Sequence, residues 1–152
     1  MDARKYEPYT IRLKSGKIAS IEADGHIINK FSPPASSNGQ LKLYVIKSGA
    51  EVIYAGITSQ SLRARLRWGF HANGEQGYYG YKWKNLNIVE MLVWYFPGAK
   101  LSSIEPVEAE LAYLVRHRTG NWPKYQMEIH FHQSSKRDKE LAEAIYTECM
   151  KY

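Results

Sequence analysis

The sequence predicts an α+β protein with a small β-rich N-terminal appendage and a C-terminal helix. Three observations support this fold class. Residues 41–47 and 51–58 are rich in apolar and β-branched residues, as strands are. Residues 88–96 form an almost continuous apolar run, which is typical of a buried strand. Residues 62–70, 105–118 and 137–151 have apolar residues at helical spacing.

The length of 152 residues fits one main domain, which we assign to residues 40–152, preceded by an appendage over residues 1–39. The only cysteine, Cys149, excludes an internal disulfide and a four-cysteine zinc site. The sequence has neither the apolar core of a signal peptide nor an apolar run long enough to cross a membrane. We therefore expect a cytoplasmic protein with no membrane partner.

The N-terminal appendage has the pattern of a small β-meander. Residues 10–14, 18–22 and 26–28 are strand-like, and turn signals separate them at Ser15-Gly16 and Asp24-Gly25. Residues 31–39 have the composition of a linker.

The strands at 41–47 and 51–58 are predicted to form a hairpin around a three-residue loop at positions 48–50. This register sets Lys47 opposite Glu51 and places Tyr44 directly across from Tyr54, on one face.

A basic amphipathic helix follows the hairpin, with Ser59 or Ser61 as its N-terminal cap and Gly69 as its end. Its buried stripe is predicted to be Leu62, Leu66 and Phe70, and its remaining positions are crowded by Arg63, Arg65 and Arg67.

The loop at residues 71–85 alternates aromatic and basic side chains, among them Tyr81, Lys82, Trp83 and Lys84. Such a surface suits nucleic acid, although the aromatic rings could equally fold back onto the core. Residues 41–84 hold seven Lys and Arg against two Glu, so most of the net charge of +6 lies here. This charge favours a polyanionic partner.

After the apolar strand, the helix at 105–118 carries two glutamates, Glu108 and Glu110, on opposite sides of its apolar stripe. An extended piece at 125–132 contains His130 and His132, whose spacing on a strand would suit two zinc ligands. Two ligands alone do not make a site, so we expect this piece to shape the core instead.

Residues 41–126 resemble the catalytic core of the GIY-YIG nucleases. Lys-Leu-Tyr at 42–44 stands where that family has Gly-Ile-Tyr, and Tyr-Ala-Gly at 54–56 stands where it has Tyr-Ile-Gly. Arg65 is similar to the family's helical arginine, and Pro-Lys-Tyr-Gln at 123–126 to its Pro-x-Tyr-Asn. The resemblance implies a small antiparallel three-stranded sheet flanked by helices.

The resemblance also implies a nuclease that hydrolyses phosphodiester bonds in DNA with Mg²⁺ or Mn²⁺ as cofactor. Tyr44 or Tyr54, held partly ionised by nearby cations, would take the proton of the attacking water. Arg65 would stabilise the growing phosphoryl charge, and Glu110, with Glu108 in reserve, would hold the metal. His71 would assist the leaving group. Nucleic acid would be bound by six residues of the helix and loop: Arg63, Arg67, Tyr81, Lys82, Trp83 and Lys84.

Two alternatives stay open at this stage. The first is a catalytically impaired nucleic-acid-binding domain on the same scaffold, because Ile57 and Thr58 stand where many relatives have a lysine. The second is an unrelated α+β interaction domain in which the tyrosines merely pack. RNA is a possible partner beside DNA, and a dimer is possible.

Overall fold

A computed structural model of the chain describes residues 2–75, 80–126 and 129–152. Its strands form one antiparallel sheet in the order β3-β2-β1-β6-β4-β5. The strands are β1 (Glu7–Lys14), β2 (Lys17–Ala23), β3 (His26–Ile28), β4 (Leu41–Ser48), β5 (Glu51–Thr58) and β6 (Ile88–Phe96). The α+β class and the N-terminal meander therefore occur as predicted.

The predicted three-stranded sheet is wrong, because the strands of the meander extend the same sheet to six strands. Strand β1 pairs with β6 over six residue pairs, from Glu7 opposite Val93 to Arg12 opposite Ile88. Strand β6 therefore lies in the interior of the sheet, between β1 and β4. Its backbone N–H and C=O groups are hydrogen-bonded on both sides, whereas an edge strand has one side unpaired. The division of the chain at residues 39 and 40 remains a prediction.

The β4–β5 hairpin differs in register from the prediction. Ser48 pairs with Glu51, so the loop has two residues instead of the predicted three, and Lys47 lies opposite Val52 and not Glu51. A further one-residue bulge beside Lys47 then places Tyr44 opposite Gly56 and Tyr54 opposite Ile46. Ile53 is the extra residue of this bulge, and a one-residue shift changes which side chains share a face. The two tyrosines still lie on one face, but as diagonal neighbours and not as a direct pair.

Helices cover both faces of the sheet. On one face, α2 (Leu101–Thr119) and α3 (Lys136–Lys151) pack on Leu43, Val45 and Trp94. On the other face, α1 (Leu62–His71) and a short 3₁₀ helix (Lys82–Asn85) pack on Tyr44, Ile46 and neighbouring residues. Alternating side chains of β4 thus contribute to two separate cores. Within the described ranges, no helix is long and apolar enough to cross a membrane.

Helix α1 follows its predicted pattern except at its end. Ser61 is the cap, and its Oγ accepts a hydrogen bond from the amide of Ala64. Leu62, Leu66 and Phe70 are buried as predicted. The helix continues through Gly69, where a Cβ atom would lie 2.0 Å from Cε2 of Tyr81. Gly69 therefore makes room for an aromatic ring instead of ending the helix.

Helices α2 and α3 match the prediction in outline. Helix α2 begins at Leu101, four residues before the predicted start, and ends at Thr119. Gly120 caps it in the left-handed conformation that glycine favours. Helix α3 begins with a capping box in which Ser135 and Asp138 bond each other's backbone amides. Ile145 and Cys149 are buried in the core, as the spacing predicts.

A segment after α2 covers the open edge of β5. The amide of Tyr125 donates to the carbonyl of Ile53. The Gln126 side chain bonds Ala55 twice: its Oε1 accepts from the amide and its Nε2 donates to the carbonyl. This segment therefore replaces a seventh strand at the edge next to the candidate site.

The predicted linker at residues 31–39 is fastened to the sheet by Lys42. This side chain is fully buried, and its ammonium group donates to the carbonyls of Ser37, Gln40 and Gln60. Lys42 therefore joins the linker to the segment that leads into α1.

Substitution Lys42→Met should lower the free energy of unfolding by about 2 kcal/mol, because it leaves three carbonyl groups without their charged donor. Chemical denaturation would measure the change, with Lys139→Met on the exposed face of α3 as the control. Equal stability of the two variants would show that the Lys42 hydrogen bonds contribute nothing net.

Candidate functional site

A cleft of about 460 Å³ lies beside β5, one of the two edge strands of the sheet. Four elements supply polar side chains to it: Tyr44 comes from β4, Tyr54 from β5, Arg65 from α1 and Glu108 from α2. Helices α1 and α2 lie on opposite faces of the sheet, so their side chains can meet only where the sheet ends. The open side of β5 is therefore the place where these residues converge.

The tyrosines form the inner wall of the cleft. The ring centroids of Tyr44 and Tyr54 lie 6.0 Å apart, and the hydroxyl of Tyr44 lies 2.8 Å from that of Tyr81. Gly56 permits this packing, because a Cβ atom there would lie 2.6 Å from the Tyr44 hydroxyl. The Tyr-x-Gly spacing of residues 54–56 thus has a steric reason.

Arg65 extends from α1 toward this aromatic wall. Its guanidinium carbon lies 5.0 Å from the centroid of the Tyr81 ring, within cation–π distance. Its positive charge acts to lower the pKa of Tyr44, Tyr54 and Glu108. The charge of Arg65 therefore acts on both tyrosines and on Glu108.

Burial outweighs this charge at both tyrosines. Desolvation is the largest influence and raises the pKa of Tyr44 and of Tyr54 well above the ordinary value for tyrosine. Both hydroxyls are thus protonated at neutral pH, contrary to the expectation that nearby cations would hold one ionised. Tyr54 is half-buried whereas Tyr44 is fully buried, so Tyr54 is the more accessible from the cleft.

Of the two glutamates that the sequence offered as metal ligands, Glu108 is the one that lies in the cleft. Its pKa is raised from 4.5 to about 7: burial is the largest cause, the charge of Glu105 adds to the rise, and the charges of His130 and Arg65 oppose it. Such a carboxyl group is costly to ionise without a cation beside it, and this property is common in functional sites.

Three further residues line the cleft, and the sequence alone did not assign them to it. Glu105 precedes Glu108 by three positions on α2, and its Oε2 lies 3.9 Å from Nε2 of His132. His130 lines the same wall. The available signals were the i, i+3 spacing of the two glutamates and the His-x-His pattern.

Two of the predicted catalytic residues lie elsewhere. Glu110 points away from the cleft, and its carboxylate accepts a hydrogen bond from Ser134. The reason is helical geometry, since two positions along a helix amount to a rotation of about 200°. His71 is exposed at the end of α1 and lines a different groove. The structure therefore brings Glu108, and neither Glu110 nor His71, to Tyr44, Tyr54 and Arg65.

The predicted nucleic-acid-binding residues divide into two groups. Tyr81 and Trp83 are buried and stack on each other with ring centroids 4.8 Å apart, so neither offers a face to a ligand. Arg63, Arg67 and Lys82 are exposed, and Lys84 is partly exposed. Residues 76–79 of the aromatic loop and 127–128 of the extended piece lie outside the described residues.

Comparison with known proteins returns no relative. No family model, known protein or solved structure matches the chain. The resemblance to the GIY-YIG nucleases therefore depends only on the residues and geometry described above.

The donor set of the cleft fits a hard divalent cation. Glu108 and Glu105 offer carboxylate oxygens, which Mg²⁺ and Mn²⁺ prefer. Among the residues that the structure describes, no three His, Cys, Asp or Glu side chains converge as a complete metal cage. A magnesium site commonly uses one or two carboxylates and takes its other ligands from water and substrate phosphate.

Proposed function

We propose that this protein is a divalent-metal-dependent endonuclease that hydrolyses phosphodiester bonds in DNA. The observation that carries the proposal is the convergence of Tyr44, Tyr54, Arg65 and Glu108 in one cleft from four different elements. Two tyrosines, an arginine and a carboxylate are the groups that the resemblance to GIY-YIG nucleases implies. Glu108 takes the metal-binding role that the sequence alone assigned to Glu110.

Glu108 would hold Mg²⁺ or Mn²⁺, with Glu105 as the nearest second carboxylate. A divalent ion there supplies positive charge to the scissile phosphate and its leaving oxygen. The pKa of Glu108 near 7 means that its affinity for a cation should rise with pH through neutrality, since only the ionised carboxylate binds metal.

Arg65 would stabilise the negative charge that develops on the phosphoryl oxygens. Its guanidinium group is positively charged at any physiological pH and carries several donors for phosphate. The ring of Tyr81 limits the directions in which the Arg65 side chain can point. This contact orients the donors before substrate arrives, which lowers the cost of reorganisation.

A tyrosine that receives the proton of the attacking water must first release its own phenolic proton to solvent. Tyr54 is the better candidate for this role, because it is the less buried of the two tyrosines. The negative charge of Glu108 contributes to the raised pKa of Tyr54. Neutralisation of this carboxylate by a cation would remove that contribution. Tyr44, held by the hydroxyl of Tyr81, would keep Tyr54 and the water in position.

The second candidate is a nucleic-acid-binding domain without catalysis on the same scaffold. The raised pKa of both tyrosines favours it, because a protonated tyrosine is a poor general base. This domain would bind DNA in a salt-dependent manner and cleave none.

The protein should nick supercoiled plasmid in Mg²⁺ or Mn²⁺, and EDTA should remove the activity. Substitution Arg65→Gln should slow nicking by about 10²-fold, as expected when one donor to a transition-state oxyanion is lost. Gel electrophoresis of the plasmid forms measures the rate. Arg137→Gln on exposed α3 is the matched control and should nick at the wild-type rate. Retention of salt-sensitive binding without nicking would instead support the non-catalytic alternative.

A further inference from the structure

A second concave site lies on the other side of α1, between this helix and β2. This α1–β2 groove has a volume of about 300 Å³, which is the lower end of the range for small-molecule sites. Lys17 and Ile18 come from the meander, whereas Arg63 and Arg67 come from α1. The groove therefore exists only because the meander joins the main sheet.

The rim of the groove is entirely basic. Arg63, Arg67 and His71 follow one another at i, i+4 and i+8, so they form one row along α1. Lys17 lies on the opposite rim, and all four side chains are exposed. No Asp or Glu lines this groove, and no ion pair joins any of these four side chains to a described carboxylate. The rim is therefore complementary to phosphate.

The floor of the groove is apolar. Ile18 and Ile21 of β2, Phe31 of the linker, and Leu66 and Phe70 of α1 form it. Phosphate alone gains nothing from such a floor, because an anion prefers polar surroundings. A ligand that is complementary to both the basic rim and the apolar floor has an anionic end and a flat apolar body.

We propose that the α1–β2 groove binds an unpaired nucleotide of a single-stranded nucleic-acid segment, with its phosphate at the rim and its base over the floor. The inference rests on the proposed function for the class of ligand, but not on cleavage. Proteins that bind single strands commonly combine a basic groove with aromatic side chains on which the bases stack, and Phe31 and Phe70 supply aromatic rings to this floor. The base faces of an intact duplex are stacked inside and cannot reach a floor of this kind.

The groove and the catalytic cleft are arranged for one continuous strand. Arg65 faces the cleft, whereas Arg63 and Arg67 face the groove, so the two sites lie on opposite sides of α1. The helix between them is roughly 10 Å thick. A strand that crosses α1 could thus occupy both sites at once, and the enzyme would favour DNA with an unpaired segment beside the cleaved bond.

The test measures binding in EDTA with Glu108→Gln as the parent protein, so that cleavage plays no part. The probe is a labelled thymine oligonucleotide of about 12 nucleotides, compared with its duplex. The double substitution Arg63→Gln, Arg67→Gln should weaken single-strand binding about tenfold or more, and should reduce the slope of log Kd against log salt by about 1.4. Lys136→Gln, Lys139→Gln on α3 removes the same charge away from the groove and should bind like the parent.

The apolar floor has its own test. Ile18→Gln keeps the charge of the rim and should reduce the preference for single strand over duplex. Thermal unfolding checks that each variant is folded. Equal binding by the groove variant and the α3 control overturns the proposal, and so does a duplex preference that Ile18→Gln leaves unchanged. Comparison of the Kd for an RNA oligonucleotide of matching length with that for the DNA oligonucleotide shows whether binding in the groove depends on the sugar. A protein that binds through the groove but never nicks plasmid contradicts the proposed nuclease alone.

Discussion

Substitution Glu108→Gln is expected to lower metal-dependent cleavage by about 10²- to 10³-fold, whereas Glu110→Gln should leave the rate close to wild type. The physical reason is that a divalent ion contributes several kcal/mol of charge stabilisation, and each 1.36 kcal/mol is a factor of ten in rate. Glutamine keeps the size of the side chain but cannot supply a negative charge to the ion. Initial rates of plasmid nicking at saturating Mn²⁺ measure the effect.

The pair of variants is well matched, because both residues lie on α2, both are partly buried and both lose one charge. Only Glu108 lines the cleft with Tyr54 and Arg65. If Glu110→Gln loses activity and Glu108→Gln keeps full activity, the metal ligand is Glu110, the residue that the sequence favoured. Loss in neither variant would exclude both glutamates as essential metal ligands.

The choice between these glutamates marks one limit of sequence reasoning. The apolar stripe of α2 lies between them, so periodicity places one on each side but cannot say which side meets β5. That choice depends on how α2 packs on the sheet, which is a long-range feature. Helix α1 is different, because Ser61, Leu62, Leu66 and Phe70 carry local signals of capping and burial. Its buried face was predicted correctly, and its cap is one of the two serines between which the sequence left the choice open.

The number of strands in the sheet could not be predicted from the sequence for a related reason, because it depends on long-range pairing. The strands of the meander were predicted from local alternation and turn residues, but β1 pairs with β6, about 80 positions away. Neither strand has a local sequence feature that indicates which strand it pairs with. The predicted hairpin register was wrong first at the loop, which has two residues instead of three, and again at the bulge beside Lys47. The bulge inserts one residue without any local turn signal in the sequence. The tyrosines share a face, although the predicted pairing was wrong.

The aromatic loop shows how composition can mislead about exposure. Tyr81 and Trp83 alternate with lysines, which is typical of a nucleic-acid surface, yet both rings are buried against α1. The signal for this burial was Gly69, a glycine inside an otherwise regular helix. Gly80 adds to the close packing, since its own backbone approaches Gly69 and the amide of Tyr81 donates to the Gly69 carbonyl. Such a glycine in a helix has a packing reason more often than a terminating one when the apolar pattern continues past it.

The second large effect expected is a pH-dependent cost of Glu108 to stability in the absence of metal. The folded protein holds the proton of Glu108 up to a pKa of about 7, whereas in the unfolded chain the group ionises near its ordinary value of 4.5. The folded state therefore binds more protons between these values, and its stability falls as pH rises through this window. Above pH 7 the loss is complete and amounts to about 3 kcal/mol.

Substitution Glu108→Gln removes this cost, because glutamine has no proton to lose. The variant should gain stability over the wild type by about 3 kcal/mol between pH 4.5 and pH 8. Urea denaturation in EDTA at several pH values measures the difference, and the same series with Glu110→Gln corrects for the loss of one negative charge on α2. A difference that stays constant over this range would mean that Glu108 ionises in the folded protein as it does in water.

Divalent metal should then reverse the effect for the wild type alone. An ion that binds the folded, ionised Glu108 stabilises that state in proportion to the logarithm of its concentration. Mn²⁺ at pH 8 should therefore raise the unfolding midpoint of the wild type and leave Glu108→Gln unchanged. A carboxylate that destabilises the free protein at neutral pH is one whose charge a bound cation would offset, so the stability and the proposed metal binding depend on the same group. If Mn²⁺ raises both midpoints equally, the ion binds elsewhere, and the cleft loses its assigned metal ligand.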